Sequence, residues 1–244
     1  MSVQYWGDMS LLDGSIELAG NAKNVQLAAE VDVKDTTPLS TTGWTTVIAG
    51  NRTATISMDL MTDMVAAGID ATEWGYLGLS GVPKSICTAS ADGSVAYLMN
   101  GINLSYHPVL GANGEIAMSR IAGKSSGSPL VRGALIHPGS VTRTSSSTGS
   151  WKVLTAATSG QTLYAALHVL SVAGTGSPTL TVKVQSDDTG HASPVDQITF
   201  TAATARTYEW KSLAGANTDT DYRISYTISG TSPQFVFAVT VGIA

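Results

Sequence analysis

The stretch EVDVKDTTPLSTTGWTTVIAG, which runs from Glu30 to Gly50, decides how the first half of this chain folds. It completes a run of alternating apolar and polar residues that begins at Val25 and ends at Lys34. Such alternation is typical of a strand with one buried face. A corner rich in Thr and Ser follows, and the apolar pattern resumes at Trp44. The sequence therefore predicts two β-strands joined by a polar loop.

The first of these strands has two distinct faces. Its apolar face carries Val25, Leu27, Ala29, Val31 and Val33. Its other face carries Gln26, Ala28, Glu30, Asp32 and Lys34. Because alternate side chains of a strand point to opposite sides of the sheet, we expect the apolar face to meet a core and the polar face to meet water.

The residues after the corner predict a tight hairpin. Trp44–Ile48 and Arg52–Met58 are predicted strands, and Gly50 with Asn51 has the composition of the turn between them.

The spacing of the apolar residues then changes from that of a strand to that of a helix. The sequence SMDLMTDMVAAG (Ser57–Gly68) predicts the one helix of the chain. Ser57 or Asp59 can cap its start and Gly68 can end it. Its apolar stripe, which we expect to pack against the apolar face of the first strand, consists of Leu60, Met61, Met64 and Val65.

A change of composition predicts two domains. The stretch His137–Ser150 contains a proline, two glycines and a Ser/Thr cluster, without apolar periodicity. We place the boundary near residue 143. Residues 1–143 are predicted to form a β-sandwich or barrel with one helix. Residues 144–244 consist of short alternating stretches separated by turn signals, and Thr162–Val172 and Pro178–Asp187 are two of the predicted strands. This pattern predicts a β-sandwich of immunoglobulin-like or jelly-roll type.

Composition and charge exclude several classes of function. The net charge is −5 and basic residues do not cluster, so we expect no electrostatic binding of nucleic acid or anionic lipid. No apolar run has the length of a membrane span, and the first residues lack the pattern of a secretion signal. The single cysteine, Cys87, lies in an alternating stretch and is predicted to be buried.

Residues with catalytic potential are scattered, so we expect no enzyme activity, no cofactor and no metal. The four histidines are His107, His137, His168 and His191, and none has metal-ligand spacing with another. Asn217–Tyr222 and the pair Asp187–Asp188 have oxygen side chains that calcium could use, but ordinary turns use the same residues. Four aromatic residues of the second part could form either a core or a sugar-binding face: Trp151, Tyr164, Tyr208 and Trp210.

Two long patterns in the first part resemble the major tail (tail tube) proteins of long-tailed bacteriophages. They are VQLAAEVDVKDTTPLSTTGWTTVIAGNRTATISMDLM, from residue 25, and GEIAMSRIAGKSSGSPLVRGAL, from residue 114. The second part is similar to the extra C-terminal β-sandwich domains of some phage tail proteins. The resemblance implies a virion protein that forms hexameric rings, stacked into a hollow tube through which DNA leaves the capsid. Tape-measure and tail terminator proteins are the implied partners, and the C-terminal domain would lie outside the tube.

The resemblance also suggests roles for the residues singled out above. The polar face, Gln26, Glu30, Asp32 and Lys34, would line the lumen, where a net acidic surface would repel DNA phosphates. The corner would reach a neighbouring subunit or ring, with Trp44 anchoring the returning chain; its residues are Asp35, Thr36, Thr37, Pro38, Leu39, Ser40 and Trp44. We expect residues 35–42 to become ordered in the tube.

Three alternatives stay open at the level of the sequence. A contractile injection system uses a tube protein of related fold. A capsid or tail decoration protein, or an adhesin, would bind cell-surface carbohydrate through exposed aromatic residues of the second domain. A glycan hydrolase would require two carboxylates in one cleft, and the sequence spacing offers no convincing pair.

Overall fold

The computed structural model of the chain describes residues 7–37 and 44–244, which form a mainly β structure with one short helix. The first part contains β1 (Ser10–Asp13), β2 (Ile16–Glu17), β3 (Ala22–Asp35), β4 (Val47–Met61), α1 (Ile69–Tyr76), β5 (Ser80–Cys87), β6 (Val95–Leu110), β7 (Met118–Ser125), β8 (Val131–His137) and β9 (Thr142–Arg143). The second part contains β10 (Ser147–Thr148), β11 (Lys152–Val153), β12 (Thr162–Asp187), β13 (Val195–Thr199), β14 (Thr207–Ala214) and β15 (Asp221–Ile243).

The described strands pair antiparallel in one branched sheet. Its main path runs β13-β12-β15-β8-β6-β5-β1-β2. A branch leaves β6 through β7 and β4 and ends at β3, and β14 pairs with β12. The pairing of β15 with β8 carries the sheet across the predicted boundary near residue 143.

The apolar side chains form two main cores and a small cluster between them. One core contains buried residues of β1, β4, β6 and β7, and the other is built mostly from β12 to β15. The small cluster joins residues of both parts, including Leu12, Cys87 and Ala238. Ala134 and Ile136 of β8 contribute to the second core, although they precede the predicted boundary. The division into domains 1–143 and 144–244 stays a prediction.

The second part has fewer and longer strands than the sequence predicted. Thr162–Val172 and Pro178–Asp187 were expected to be separate strands, but both lie in β12, which has 26 residues. The expected break appears as bulges between Val169 and Thr179, opposite β15. Both halves of β12 contribute to the same core, so the β12–β15 ribbon folds back on itself at this point.

The predicted helix at Ser57–Gly68 is wrong. Residues up to Met61 belong to β4, and the helix α1 begins at Ile69, directly after Gly68. Ala54, Ile56, Met58 and Leu60 are all buried, which is the period of a strand. Pairing with β3 on one side and β7 on the other satisfies the backbone of this stretch as a strand.

The predicted helix stripe therefore does not exist as one surface. Leu60 is fully buried and Met61 partly buried in β4, whereas Met64 and Val65 lie beyond the strand and are 61% and 63% exposed. The predicted turn at Gly50 and Asn51 is also wrong, because both residues lie inside β4.

Two smaller expectations can be compared with the structure. Cys87 is buried, as predicted, and burial raises the pKa of its thiol to about 12. In the described parts of the chain, no helix combines the length and apolar character needed to cross a membrane.

Candidate functional site

The strands β3 and β4 form a long hairpin arm. Their register runs from Ala22 opposite Leu60 to Asp35 opposite Val47. At the base of the arm, β4 also pairs with β7, and this second pairing ends at Thr55. We call residues 30–35 and 47–53 the outer arm. Among the described residues, the two strands of the outer arm pair only with each other, so each has one open edge.

One face of the arm is mostly apolar. At its base, Val25 and Leu27 pack against the first core. Further out, the same alternation places Val31 and Val33 in solvent, and Val33 is 59% exposed. The register adds Val47 to this face, whereas Ile48 lies opposite Lys34 on the other face. Trp44, just before β4, is 91% exposed. We call the exposed apolar side chains Val31, Val33, Trp44 and Val47 the arm patch. Exposed apolar side chains grouped on one element mark a candidate interaction site.

An open groove of about 930 Å³ lies beside the base of the arm. One wall is the apolar face of β3, with Val25, Leu27 and Ala29. Apolar side chains of the body, including Leu11, Ile86, Tyr97 and Leu130, line much of the remainder, together with Asp8, Lys23 and Asn24. The chain thus carries a projecting apolar patch and, at the base of the same arm, a mostly apolar groove. Two different complementary surfaces on one chain are what head-to-tail association requires.

The opposite face of the arm is polar, as predicted, and continues onto β7. Gln26, Glu30, Asp32 and Lys34 alternate along β3, and the register adds Asp59, Arg120 and Lys124 to the same face.

The charges on this polar face are balanced. Lys34 Nζ lies 2.5 Å from Asp32 Oδ2. Arg120 donates from Nε to Asp59 Oδ1 at 2.6 Å, and its guanidinium lowers the pKa of Asp59. The expectation of a net acidic face came from β3 alone and is corrected by the basic residues that β7 places beside it.

Only part of the predicted inter-subunit loop lies within the described residues. Asp35 Oδ1 accepts a hydrogen bond from Thr37 N at 2.8 Å, and bonds from Thr37 lower the pKa of Asp35. Thr36 N donates to Thr46 O at 2.8 Å, which closes the end of the arm. Pro38, Leu39 and Ser40 lie outside the described residues. The side chain of Trp44 is too exposed to anchor the returning chain within the monomer.

A buried polar network, which the sequence analysis missed, joins the two parts of the chain. His168 Nδ1 donates to Gly14 O at 2.6 Å, and His168 Nε2 accepts from Ser85 Oγ at 2.9 Å. Ser85 Oγ also lies 2.8 Å from Thr240 Oγ1. Burial lowers the pKa of His168 to about 4, so the imidazole is neutral at pH 7. This histidine has the structural role expected of it.

A second buried cluster was also missed: Asp13 and Lys84 are in contact, and the buried Glu73 lies close enough for the charges of both to act on its carboxyl group. These residues lie on β1, α1 and β5. Their separation along the chain hides the cluster, and Glu73 falls in a stretch for which no element was predicted. The sequence feature that could have indicated the cluster is Lys84, a lysine within the alternating stretch that forms β5.

The four aromatic residues of the carbohydrate-binding alternative are partly buried against their own chain. Trp151 stacks on His191 at 4.4 Å, and the Arg223 guanidinium lies 4.3 Å from its ring centre. Trp210 lies 5.6 Å from Tyr164, and Tyr208 makes an edge contact with Tyr76. These four positions do not present the exposed aromatic face that the alternative requires.

The acidic loops considered for calcium use their oxygens in hydrogen bonds within the protein. Asp219 Oδ2 accepts from Ser186 Oγ at 2.6 Å, and Asp221 Oδ2 bonds His191 Nε2 at 2.6 Å. Within residues 7–37 and 44–244, no group of three or more His, Cys, Asp or Glu side chains is arranged to hold a metal ion.

Comparison with protein-family models and with curated proteins gives no match. Among solved structures, the chain is similar to one in the virion of a native gene transfer agent (GTA) particle, with 16% identity and a TM-score of 0.41. A chain of the tail of an empty GTA particle with C6 symmetry gives 17% identity and the same TM-score. Each match covers 52% of this chain and 96% of the other.

The Dit protein of phage SPP1, from the hub adsorption apparatus of phages that infect Gram-positive bacteria, gives 9% identity and a TM-score of 0.37. That match covers 97% of this chain and 99% of the other. All three similarities have low sequence identity and TM-scores below 0.5, so the function is argued from the chain itself.

Proposed function

We propose that this chain is a structural protein of a phage tail, and specifically a tube subunit that forms hexameric rings. The observation that carries the proposal is the outer arm, a two-stranded ribbon with open edges and an exposed apolar patch. Open strand edges recruit further strands, and natural proteins remove them by pairing or by ring closure. In the tube, neighbouring copies supply the missing pairing.

The arm of one copy lies against the groove of the next. The arm patch is convex and apolar, and the groove is concave and lined by Leu11, Ile86, Tyr97 and Leu130. Burying one large aliphatic side chain contributes about 1.5–3 kcal/mol. The contact joins two different surfaces, and in the proposed ring six repetitions of the same rotation return to the first copy.

The polar face of the arm lines the lumen, and DNA passes it without specific binding. Gln26, Glu30, Asp32 and Lys34 face the DNA together with Arg120 and Lys124. Because acidic and basic groups on this face are equal in number, phosphates meet neither a strong attraction nor a strong repulsion.

The remaining parts of the proposal rest on the resemblance to tail tube proteins. Asp35, Thr36, Thr37 and Trp44, with Pro38, Leu39 and Ser40, reach a neighbouring subunit or ring. Residues 144–244 form a domain outside the tube. Tape-measure and tail terminator proteins fix the length of the tube in the virion.

Photo-crosslinking from the arm tests the head-to-tail contact. A photoreactive amino acid in place of Val33 is expected to link two copies, with the attachment mapped to groove peptides that contain Leu11, Ile86 or Leu130. The matched control places the same probe at Val153, which is also exposed but lies far from the arm in sequence. Linkage of Val33 only within its own chain, in assembled material, contradicts the proposal.

A further inference from the structure

The buried cluster of Asp13, Glu73 and Lys84 has a geometry that the proposed function does not use. Asp13 of β1 lies directly opposite Lys84 of β5 in the antiparallel register. Lys84 Nζ contacts Asp13 Oδ2, and the two side chains are 1% and 0% exposed. Glu73 of α1 is also fully buried, and its Oε2 accepts a hydrogen bond from Asn103 Nδ2 at 2.8 Å. The amine and the carboxyl group are thus in contact in a site without water access.

Two glycines make room for the lysine side chain. A Cβ atom at Gly123 would lie 2.9 Å from Lys84 Cε, and one at Gly101 would lie 3.4 Å from it. Any larger residue at position 123 would displace the lysine stem. The surrounding strands therefore hold Lys84 in the direction of Asp13.

The charges of the cluster do not balance if all three groups are ionised. Two carboxylates would share one ammonium group, and burial of charged groups is costly even when they are paired. Burial and the charge of Asp13 raise the pKa of Glu73 well above its usual range, which favours the protonated form of this carboxyl group. Asp13 Oδ1 and Glu73 Oε1 are buried and have no hydrogen-bond partner.

We propose that Lys84 and Asp13 form an intramolecular amide bond, with Glu73 transferring the proton. A proton first moves from Lys84 Nζ to the Asp13 carboxylate, which leaves a neutral amine beside a carboxylic acid. Nζ then attacks Asp13 Cγ, so that an N–C bond forms and the C–O bond to one carboxyl oxygen breaks. Glu73 gives its proton to the departing oxygen, which leaves as water, and takes one proton from Nζ. The sum is amine plus carboxylic acid giving amide plus water, with no oxidant or other reactant.

The fold supplies what this reaction needs. Fixing two reacting groups in contact is equivalent to an effective concentration of about 10⁵–10⁸ M. The product replaces a buried ion pair with a neutral amide and ties β1 to β5 across 71 residues of chain.

Intact mass spectrometry of the denatured full-length protein tests the bond. The wild-type mass is expected to fall below the sequence mass by one water molecule. Tryptic digestion should leave a branched peptide that contains both Asp13 and Lys84, because trypsin does not cleave after an acylated lysine. A wild-type mass without the deficit, with Asp13 and Lys84 in separate peptides, overturns the proposal.

Three variants test the roles of the individual residues. Glu73→Gln keeps the shape of the side chain but cannot transfer the proton, so its mass should show no deficit; a full deficit in this variant overturns the role of Glu73. Lys183→Arg is the matched control, because Lys183 forms a solvent-exposed pair with Asp196 at 2.6 Å. It should keep the deficit. Lys84→Arg should lose the mass deficit. If that variant does not fold, the masses of the wild type and of Glu73→Gln still test the proposal.

Discussion

At the scale of single residues, exposure separates the side chains that stabilise the monomer from those available to a partner. Val33 is large, apolar and exposed near the tip of the arm. Val33→Asp should abolish assembly, because it places a charge in the proposed apolar contact. It should change the free energy of unfolding of the monomer by no more than about 0.5 kcal/mol, as is usual for a surface site. Light scattering and denaturant unfolding measure the two effects.

The control for that substitution is Val153→Asp. Val153 is 79% exposed and lies outside the arm. The same chemical change there should leave assembly intact. Equal loss of assembly in both variants would show that added charge, and not the arm contact, is responsible.

A second pair of substitutions distinguishes the observed strand β4 from the predicted helix. Leu60→Ala should lower the free energy of unfolding by about 2–5 kcal/mol, because it leaves a cavity in a packed core. Met64→Ala should change it by about 0.5 kcal/mol or less, since Met64 lies in solvent. Chemical denaturation of both variants checks this. Similar large losses for the two residues would instead fit the predicted helix stripe.

His168 makes stability depend on pH. Its pKa falls from 6.5 to about 4 on folding, so the unfolded chain binds a proton at a pH where the folded chain does not. The contribution of neutral His168 is complete above about pH 6.5 and is lost as the pH falls toward 4. The slope is about 1.4 kcal/mol per pH unit for one such group. His168→Gln should therefore show a shallower decline by that amount between about pH 6 and pH 4.5, measured by denaturant unfolding. An unchanged slope would contradict the role given to this histidine.

At the scale of secondary structure, the outer arm is the element that the monomer does not need. Its strands have no partners beyond each other among the described residues. Hydrogen exchange of residues 30–35 and 47–53 should be fast in the monomer and slow in the assembly, because neighbouring copies then satisfy the open edges. Exchange at equal rates in both states would contradict inter-subunit pairing through the arm.

The sequence predicted most strands because their alternation is a local signal. Val25–Lys34 alternates clearly, and it lies in β3. Ser57–Gly68 misled because Leu60, Met61, Met64 and Val65 fit a helical stripe while Ile56, Met58 and Leu60 fit a strand equally well. Pairing with β7, which is 60 residues away in the sequence, decided between the two. Such a distant partner is not visible in a local pattern.

At the scale of the whole molecule, contacts between positions far apart in the chain limit what can be predicted from the sequence. The β12–β15 ribbon, the His168 network and the contact of Asp13 with Lys84 each join positions far apart in the chain. Composition excluded broad classes of function but could not place these groups together. The charge of the polar face was misjudged for the same reason, since Arg120 and Lys124 reach that face only through the register of β7.

The most direct test of the central claim is electron microscopy of the purified protein at high concentration, with its mass in solution measured by light scattering. The account predicts six-membered rings that stack into hollow tubes, with extra density on the outside for residues 144–244. Single rings that never stack would contradict the tube and point to a terminal hub component. If particles stay monomeric even when a preformed tail initiator complex is added, the claim that this chain is a ring-forming subunit is wrong.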